Sequence, residues 1–407
     1  MVNRCQSCNS NSCVPILDLG MQPLCNKFLR SEDEFVGEQF YPMELTFCRN
    51  CKLVQLDSVP PSNVVFGKSF NYLSGATPDR VAYFNRLAGR ILRKFNLKDG
   101  EFVLDIGSND GTLLKQFKDY GINSVLGVDP APEPCRLANQ MGVETINSKF
   151  ETAAADILKR TKNRMKVVMA LNVLAHTDTV HEFLDTVTKL VNGNDAVFVS
   201  VSHYLPNMIY GREYDTIYHE HARYYSLSSL DYLFKKHGLF IYDAEKISLY
   251  GGSILVYARN RPTAKTKRLA MLLKKEDVLQ NIKTYRLFSD EVKRSREALR
   301  RMLQRLRKDG KVIAGIGAPM KSSTLLNYCG IGSDVLAYIT ELNQLKIGTY
   351  TPGTHIKVVD ESRVFRDNPD ACLILSWDVA GRIMKSFRKR GYKGSFIVPI
   401  PRVKLVK

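Results

Sequence analysis

Apolar and polar positions alternate in blocks from about residue 100 onward, and these blocks predict strands and helices in turn. EFVLDIGSNDGTLLKQFKDYG contains an apolar run over 102–106, a turn over 107–111 and an amphipathic stretch that Gly121 ends. Further apolar runs follow in SVLGVDP, KVVMALNVLAHT and DAVFVSVS. Short apolar runs that alternate with helices are typical of a parallel α/β sheet. Its ligand is expected at the carboxyl ends of the strands.

A second block of the same kind begins after residue 310. The stretches KVIAGIGAPMKSSTLLNYCG, VLAYITE, HIKVVDES, ACLILSW and SFIVPIP again place apolar runs between helical or turn-forming segments. We therefore predict a second, smaller α/β domain over 311–407.

The stretch between these two units is strongly basic. From Arg259 to Lys311 it has 18 Lys and Arg against 6 Asp and Glu, which is most of the net charge of +18 of the whole chain. Leu272, Leu279 and Leu299 recur at roughly helical spacing, so the stretch predicts amphipathic helices, a helical connector over 261–310. A cationic helical face usually lies in water. The alternative is a nucleic-acid partner, which we do not expect because the stretch does not form a basic platform interleaved with aromatic residues.

Length and composition set the broad class of the protein. The 407 residues are too many for one ordinary core, and a hydrophobic content of 44% is enough to build two or three. The N-terminal MVNRCQSCNS has no apolar signal core, and no run approaches the ~18 apolar residues of a membrane span. We therefore expect a cytoplasmic protein without a membrane partner. The sequence carries no signature of a particular oligomeric state.

Cysteines are concentrated near the N-terminus, where six of the nine lie in the first 51 residues. CQSC and CRNC form two C-x-x-C knuckles, and such pairs are typical of structural zinc sites. Four thiolate ligands leave no open coordination position, so this zinc would hold a fold together rather than catalyse. The alternatives are a disulfide framework, disfavoured in a reducing compartment, and a redox pair, which normally needs one C-x-x-C. The predicted ligands, in a zinc-binding domain over 1–65, are Cys5, Cys8, Cys48 and Cys51.

The turn DIGSNDG indicates the cofactor. A dinucleotide fold would show G-x-G-x-x-G, and that spacing is missing. Gly107 and Gly111 instead leave room for a bulky ligand without phosphate, and Asp129 can accept hydrogen bonds from a ribose diol. S-adenosylmethionine fits, because an acidic turn favours its sulfonium; the alternatives are an NAD-type or purely structural sheet. The predicted cofactor residues are Asp105, Gly107, Asn109, Asp110, Gly111, Asp129 and Asn172.

Motifs along nearly the whole chain resemble the sugar-nucleotide C-methyltransferases, which make branched deoxysugars. They are CQSCNS, ILDLGMQPLCNKFL, FCRNCKLVQL, VLDIGSNDGTLL, NVLAH, YDTIYHEHARYYSLSSL, GGSILVYARN, GAPMKSSTLLNYCGI and PGTH. The resemblance implies a zinc-binding domain, a central Rossmann-like S-adenosylmethionine domain over 66–260 and a C-terminal Rossmann-like domain. It also implies that a nucleotide-linked 4-keto sugar lies between the domains.

The stretch YDTIYHEH, residues 214–221, has the groups that carbon methylation requires. A C–H bond beside a carbonyl is weakly acidic, so a base must remove the proton while another group stabilises the enolate oxygen. A histidine suits the first role, and a second histidine or a tyrosine suits the other. The resemblance implies that His221 is the base and that Tyr218 and Glu220 line the same pocket.

Two further residues complete the predicted catalytic set. The resemblance points to His176 of NVLAH and to Tyr72 of SFNYLSG, which would lie over the cofactor. The sequence leaves His221 and His176 as alternative proton acceptors, and we favour His221 for proton abstraction and His176 for the enolate oxygen. The alternative for each residue is a structural role.

The C-terminal stretch GIGAPMKSS is similar to a phosphate loop, but Lys321 lacks the preceding glycine of a nucleotide triphosphatase. Backbone N–H groups near Gly317, together with the Lys321 ammonium, can still contact a diphosphate, and the alternative is a solvent-facing lysine after a structural turn. The resemblance assigns this region, including Ser322 and Asn327, to the sugar nucleotide.

One stretch departs from the family. Where its members usually read something like Glu-Val-Pro, this chain has SVSHYL, so Ser200, Ser202 and His203 are expected to reshape the sugar pocket. The sequence predicts an S-adenosylmethionine-dependent C-methyltransferase that acts on a nucleotide-linked 4-keto deoxysugar, with C3 as the expected position. The alternatives are O- or N-methylation of a related sugar and a zinc-ribbon nucleic-acid-binding methyltransferase.

Overall fold

The N-terminal cysteines frame a small antiparallel sheet. The computed structural model describes residues 4–65, 73–161, 164–193, 195–248 and 251–407. Cys13 and Cys48 lie directly opposite each other where the first two strands pair, so the sheet begins beside the second knuckle. The elements of this region are β1 (Cys13–Pro23), β2 (Phe40–Cys48), β3 (Val54–Leu56) and the short helix α1 (Ser62–Val65).

The central part of the chain forms a seven-stranded sheet with helices between the strands. Its strand order is β10-β11-β8-β7-β4-β5-β6, and β4 to β8 run parallel while β11 is antiparallel to both its neighbours. The elements are α2 (Pro78–Phe95), β4 (Phe102–Ile106), α3 (Thr112–Asp119), β5 (Val125–Asp129), α4 (Pro132–Gln140), β6 (Thr145–Asn147), α5 (Phe150–Thr161), β7 (Met165–Leu171), α6 (Val180–Val191), β8 (Val197–His203), α7 (Leu205–Gly211), β9 (Arg223–Tyr224), α8 (Leu227–Lys236), β10 (Phe240–Ile247) and β11 (Ser253–Arg259).

Strand β9 comes from the central part of the chain but joins the N-terminal sheet, whose order is β1-β2-β3-β9. Gln55 pairs with Arg223, and the Leu56 backbone N–H donates to the carbonyl of Ala222 at 3.0 Å. The Ala222 N–H in turn donates to the carbonyl of Ala175 at 2.9 Å, beyond the end of β7. The YDTIYHEH stretch, which ends one residue before Ala222, is therefore held between the two sheets.

The basic stretch forms two amphipathic helices, α9 (Lys267–Lys275) and α10 (Ile282–Lys308). The side chain of Asn281 caps the start of α10 by accepting a hydrogen bond from the Lys283 N–H at 2.9 Å. Leu299 on α10 is fully buried, and the helix packs against β1 and α7. Its basic face, by contrast, is largely exposed.

The C-terminal part forms a six-stranded sheet in the order β14-β13-β12-β15-β16-β17, in which the first five strands are parallel and β17 is antiparallel. Its elements are β12 (Ile313–Ile316), α11 (Met320–Cys329), β13 (Ile339–Glu341), β14 (Val358–Asp360), α12 (Ser362–Asp367), β15 (Ala371–Ile374), α13 (Ala380–Lys389), β16 (Ser395–Val398) and β17 (Lys404–Val406).

These three sheets confirm the predicted fold class, an α/β chain with an N-terminal four-cysteine unit, a central Rossmann-like domain and a C-terminal sheet domain. The parallel sheet expected for the central unit is present over β4 to β8, and the antiparallel strand β11 extends it. The C-terminal sheet likewise ends in an antiparallel strand, β17. The domain boundaries 1–65, 66–260, 261–310 and 311–407 stay a prediction. Among the described residues, no helix is long and apolar enough to cross a membrane.

Asp243 on β10 joins three elements through buried ionic hydrogen bonds. Its carboxylate accepts hydrogen bonds from Lys94 of α2 and Arg268 of α9, both at 2.7 Å, and from Thr266 at 2.8 Å. Burial opposes ionisation, but these hydrogen bonds outweigh it and lower the pKa of Asp243. The carboxylate therefore stabilises the folded state when it is ionised.

Replacing Asp243 by asparagine is expected to lower the free energy of unfolding at pH 7 by about 2 kcal/mol, because two cations then lose their charged partner. The pKa is lower in the folded state, so the contribution is present above the unfolded value of about 3.9 and is lost as the pH falls through the folded value. Urea unfolding of both proteins at pH 7 and at about pH 2.5, below the unfolded value, measures the difference, which should shrink at the lower pH.

The matched control is Asp119→Asn, which removes an exposed ion pair with Lys115 and should leave stability almost unchanged. An Asp243→Asn protein as stable as the control would contradict the inferred stabilisation.

Candidate active site

The four knuckle cysteines converge as a metal site requires. Their sulfur atoms all lie within 4.8 Å of one another, with 3.4 Å between Cys5 and Cys51 and 3.5 Å between Cys8 and Cys48. Both knuckles are followed by a residue in the left-handed region, Asn9 after the first and Lys52 after the second. Tetrahedral zinc with four thiolates separates the sulfurs by roughly 3.8 Å, so these residues fit zinc.

The glycine turn after β4 packs closely against neighbouring side chains. Gly107 has φ of +69°, and a Cβ there would lie 2.6 Å from Val173 Cγ2. Gly111 has φ of +75° and precedes α3, where a Cβ would lie 2.9 Å from the side chain of Ala138. Only glycine fits both positions without strain.

Asp129, at the end of β5, is fixed by backbone donors. Its Oδ2 accepts a hydrogen bond from the Asn109 N–H at 2.9 Å, and its Oδ1 accepts one from the Ala131 N–H at 2.8 Å. Asp105, at the neighbouring strand end, is buried, and its Oδ1 has no hydrogen-bond partner among the described residues. Burial, and then the charge of Asp129, raises the pKa of Asp105. An orphaned buried acceptor beside a glycine turn suits a ligand with polar groups, and S-adenosylmethionine has them.

The segment before α2 covers this turn. The Ser74 N–H donates to Asn109 Oδ1 and the Gly75 N–H donates to Asp110 Oδ2, both at 2.8 Å. Tyr72, predicted to lie over the cofactor, is outside the described residues. The predicted cofactor residue Asn172 follows β7, where its N–H donates to the Val201 carbonyl at 2.8 Å.

A small cavity lies where β7 and β8 end, and it contains both candidate bases. Asn172, His176 and His221 line it together with residues of the β8 end and of the β9 region. The rings of His176 and His221 meet edge to face, with centroids 4.9 Å apart. The structure thus brings together two histidines that are 45 positions apart in the sequence, beside the predicted cofactor residue Asn172.

His221 is held by two hydrogen bonds that fix its tautomer. Its Nδ1 lies 3.4 Å from the carbonyl of Thr216, so Nδ1 carries the proton and donates. The Tyr218 hydroxyl then donates to the lone pair of Nε2 at 3.2 Å. Burial lowers the pKa of His221 well below its usual range, and burial lowers that of His176 to about 4. Both imidazoles are therefore neutral near pH 7.

Glu220 is buried between side chains of the N-terminal and C-terminal parts of the chain. The Cys25 thiol donates to its Oε1 at 3.6 Å. Burial raises the pKa of Glu220 to about 7, partly offset by the thiol hydrogen bond and the charge of Lys346. The Lys346 ammonium donates to the carbonyl of Ala318 at 2.7 Å and lies 4.5 Å from the centroid of the Phe28 ring.

Three of the predicted substrate residues, Gly317, Lys321 and Ser322, lie at the start of α11, and Asn327 lies in its last turn. Gly317 has φ of +79°, and Lys321 pairs with Asp378 at 2.5 Å. The other two are also bonded within the C-terminal region: the Ser322 hydroxyl donates to the Pro319 carbonyl at 2.6 Å, and the Asn327 amide donates to the Pro352 carbonyl at 3.0 Å.

Sequence reasoning missed the contacts that join this region to YDTIYHEH. Trp377, the only tryptophan of the chain, donates its indole N–H to Asp215 Oδ2 at 2.6 Å, and the Lys321 ammonium lies 4.1 Å from the centroid of its ring. Thr324 of α11 donates its hydroxyl to the Ile217 carbonyl at 2.7 Å. A lone tryptophan near a strand end was the available signal.

Sequence comparisons find related proteins along the whole chain. Three family models match: a zinc binding domain over residues 5–66, a methyltransferase domain over 80–243 and a C-methyltransferase C-terminal domain over 248–401. The C-methyltransferase NovU of Streptomyces niveus is 32% identical over 412 residues, which cover 100% of this chain and 97% of that protein. A ubiquinone biosynthesis O-methyltransferase of Azorhizobium caulinodans is 32% identical over 113 residues, 28% of this chain and 44% of that protein.

Among solved structures, the magnesium protoporphyrin IX methyltransferase of Synechocystis PCC 6803 with bound S-adenosylmethionine is 15% identical. It covers 49% of this chain and 98% of its own, with a TM-score of 0.36. The full-length relative and the three domain matches confirm the predicted enzyme class and cofactors. The chain belongs to the C-methyltransferase family, as an S-adenosylmethionine-dependent enzyme with an N-terminal zinc-binding domain.

Proposed function

We propose that this enzyme methylates a carbon of a nucleotide-linked 4-keto deoxysugar, at C3, through an enolate formed by histidine catalysis. The observation that carries the proposal is the pair of neutral, half-buried histidines, His176 and His221, in one cavity where β7 and β8 end. Removing a proton from the carbon beside a ketone requires a base, and the enolate oxygen that forms requires a hydrogen-bond donor. Two neutral imidazoles can divide these roles.

His221 is the proton acceptor in this mechanism. The lone pair of Nε2 is available once the substrate displaces the Tyr218 hydroxyl, and the Nδ1–H to Thr216 holds the ring in place while the positive charge develops. His176, whose ring centroid lies 4.9 Å from that of His221, donates a hydrogen bond to the enolate oxygen. Bound S-adenosylmethionine supplies an electrophilic methyl group, which the enolate carbon accepts.

The nucleotide part of the substrate is assigned to the start of α11. Lys321 supplies a positive charge there, and Trp377 beneath it presents an aromatic face. The indole hydrogen bond to Asp215 links this region to YDTIYHEH, so a sugar attached to the diphosphate can extend from Lys321 toward His221. The full-length relative is a C-methyltransferase, which favours carbon over oxygen as the acceptor atom.

Hydrogen exchange with solvent tests the proposed reaction. The enzyme is incubated in deuterium oxide with S-adenosylhomocysteine and a thymidine diphosphate-linked 4-keto-6-deoxyhexose, and the sugar is analysed by mass spectrometry and NMR. Deuterium should enter at the carbon next to the ketone. The control is the nucleotide-linked sugar with a 4-hydroxyl group in place of the ketone, which should not exchange. An O-methyl product formed with S-adenosylmethionine, without any exchange, would contradict the proposal.

A further inference from the structure

The end of β8 places polar groups in and beside the cavity. Ser200, Ser202 and His203 all belong to the stretch SVSHYL. Each has a buried polar atom without a hydrogen-bond partner among the described residues: the two serine hydroxyls and Nδ1 of His203. Ser202 and His203 line the cavity that also contains His176 and His221. Buried polar groups left unpaired are destabilising, so such a cluster indicates a polar ligand.

The contact with Glu213 determines which ring nitrogen of His203 carries the proton. Its Nε2 lies 3.2 Å from Glu213 Oε2, and the two side chains are 12% and 9% exposed. A carboxylate accepts hydrogen bonds, so Nε2 carries the proton and Nδ1 presents a lone pair. Glu213 is itself held in place. The Thr216 hydroxyl donates to its backbone carbonyl at 2.6 Å, and its carboxylate packs against Gly211, where a Cβ would lie 2.7 Å from Oε1.

The lone pair of His203 and the carboxylate of Glu213 determine which kind of ligand group can bind here. An imidazole lone pair backed by a buried carboxylate attracts a hydrogen-bond donor and repels an anion, so a phosphate does not fit here. A hydroxyl group fits, since it donates to Nδ1 of His203 and its own lone pairs accept a hydrogen bond from the hydroxyl of Ser202. The cavity also contains the two candidate catalytic histidines, so the hydroxyl belongs to the part of the substrate that reacts.

We propose that His203, positioned by Glu213 and assisted by Ser202, binds a ring hydroxyl of the methyl acceptor and thereby determines which sugars this enzyme accepts. The proposal rests on the proposed function and adds to it the residues that read the hydroxylation pattern of the sugar. A site built around a hydrogen bond discriminates strongly against a substrate that lacks the bonding group, because its own polar atoms then stay unpaired.

The experiment measures kcat/KM of wild-type enzyme and of each variant with three acceptors. The acceptors are a thymidine diphosphate-linked 4-keto-6-deoxyhexose and its analogues without the hydroxyl at carbon 2 or at carbon 3. Wild-type enzyme should disfavour one of the two analogues by about 10- to 100-fold in kcat/KM. His203→Leu should lower kcat/KM for the fully hydroxylated acceptor by the same factor, mainly by raising KM. This variant should no longer distinguish that acceptor from the disfavoured analogue.

Two further variants separate hydroxyl recognition from a merely structural role. His203→Asn keeps a hydrogen-bonding atom close to the position of Nδ1 and should restore part of the discrimination. Glu213→Gln can donate to Nε2, so the imidazole is expected to take the other tautomer, and discrimination should fall although the fold is retained. Unchanged affinity for S-adenosylhomocysteine, measured by calorimetry, shows that each variant is folded.

The outcomes distinguish this inference from the proposed function. Suppose that wild-type enzyme methylates these acceptors. If His203→Leu still discriminates as wild type does, or if its kcat/KM falls by the same factor for all three acceptors, the role proposed for His203 is wrong while the proposed function stands. If wild-type enzyme neither binds nor methylates any of the three, the proposed function fails and this inference fails with it.

Discussion

Replacing His221 by glutamine is expected to lower the rate of methyl transfer by about a thousandfold, which is the usual contribution of a positioned general base. Glutamine has a similar length and can still accept a hydrogen bond from Tyr218, but it cannot take up a proton at neutral pH. The fold should therefore survive while proton abstraction stops. Deuterium exchange at the carbon beside the ketone, followed without the methyl donor, should fall by the same factor as methyl transfer.

His176→Gln is the informative comparison. An enolate-stabilising residue lowers the barrier without taking the proton, so this variant should retain measurable exchange and lose less activity than His221→Gln. If His176→Gln abolishes exchange and His221→Gln does not, the two roles are reversed. If the variant in which both are glutamine turns over like wild type, histidine catalysis is excluded altogether.

The assignment of His221 as the base also predicts how kcat/KM depends on pH. Burial, together with the nearby His176 and His203, keeps the pKa of His221 below its usual range, so the free enzyme holds the neutral base well into mildly acidic solution. The acidic limb of kcat/KM, where the base becomes protonated, should accordingly lie below pH 6.5, the ordinary value of a histidine. A limb at or above that value would contradict His221 as the base.

Local patterns predicted most of the fold. The strands β4, β5, β7 and β8 appear as short apolar runs between turn residues, because a buried strand must exclude polar side chains from both faces of a parallel sheet. The zinc cluster was equally readable, since two C-x-x-C knuckles place four soft ligands at a fixed local spacing. Each apolar run and each single knuckle depends only on residues close together in the sequence.

Contacts between distant segments could not be predicted in this way. Strand β9 has two residues, and it exists because Arg223 and Tyr224 pair with β3, far away in the sequence. Trp377 and Asp215 are 162 positions apart, and burial of that carboxyl group is evident only in three dimensions. His203 and Glu213 lie on either side of α7, so the tautomer that their contact imposes has no signature in the sequence.

Replacing Cys48 by serine is expected to abolish zinc binding and to lower the free energy of unfolding by more than about 4 kcal/mol. Cys48 ends β2, and its backbone N–H donates to the Leu53 carbonyl at 2.8 Å, which closes the turn into β3. Strand β3 holds β9, and β9 follows His221 after one residue. Loss of the metal should therefore loosen the segment that carries the catalytic base, and methyl transfer should fall together with stability.

Cys13→Ser is the matched control for this prediction, because Cys13 lies directly opposite Cys48 in the same sheet but is not one of the four converging sulfurs. It should keep one zinc per chain and near-normal activity, whereas Cys48→Ser should bind none and unfold at much lower urea concentration. Zinc content is measured by mass spectrometry and stability by urea unfolding. A Cys48→Ser protein that keeps its zinc would exclude Cys48 as a ligand. Full activity after loss of the metal would instead disprove the link through β3 and β9, because the position of His221 would then not depend on the zinc-binding sheet.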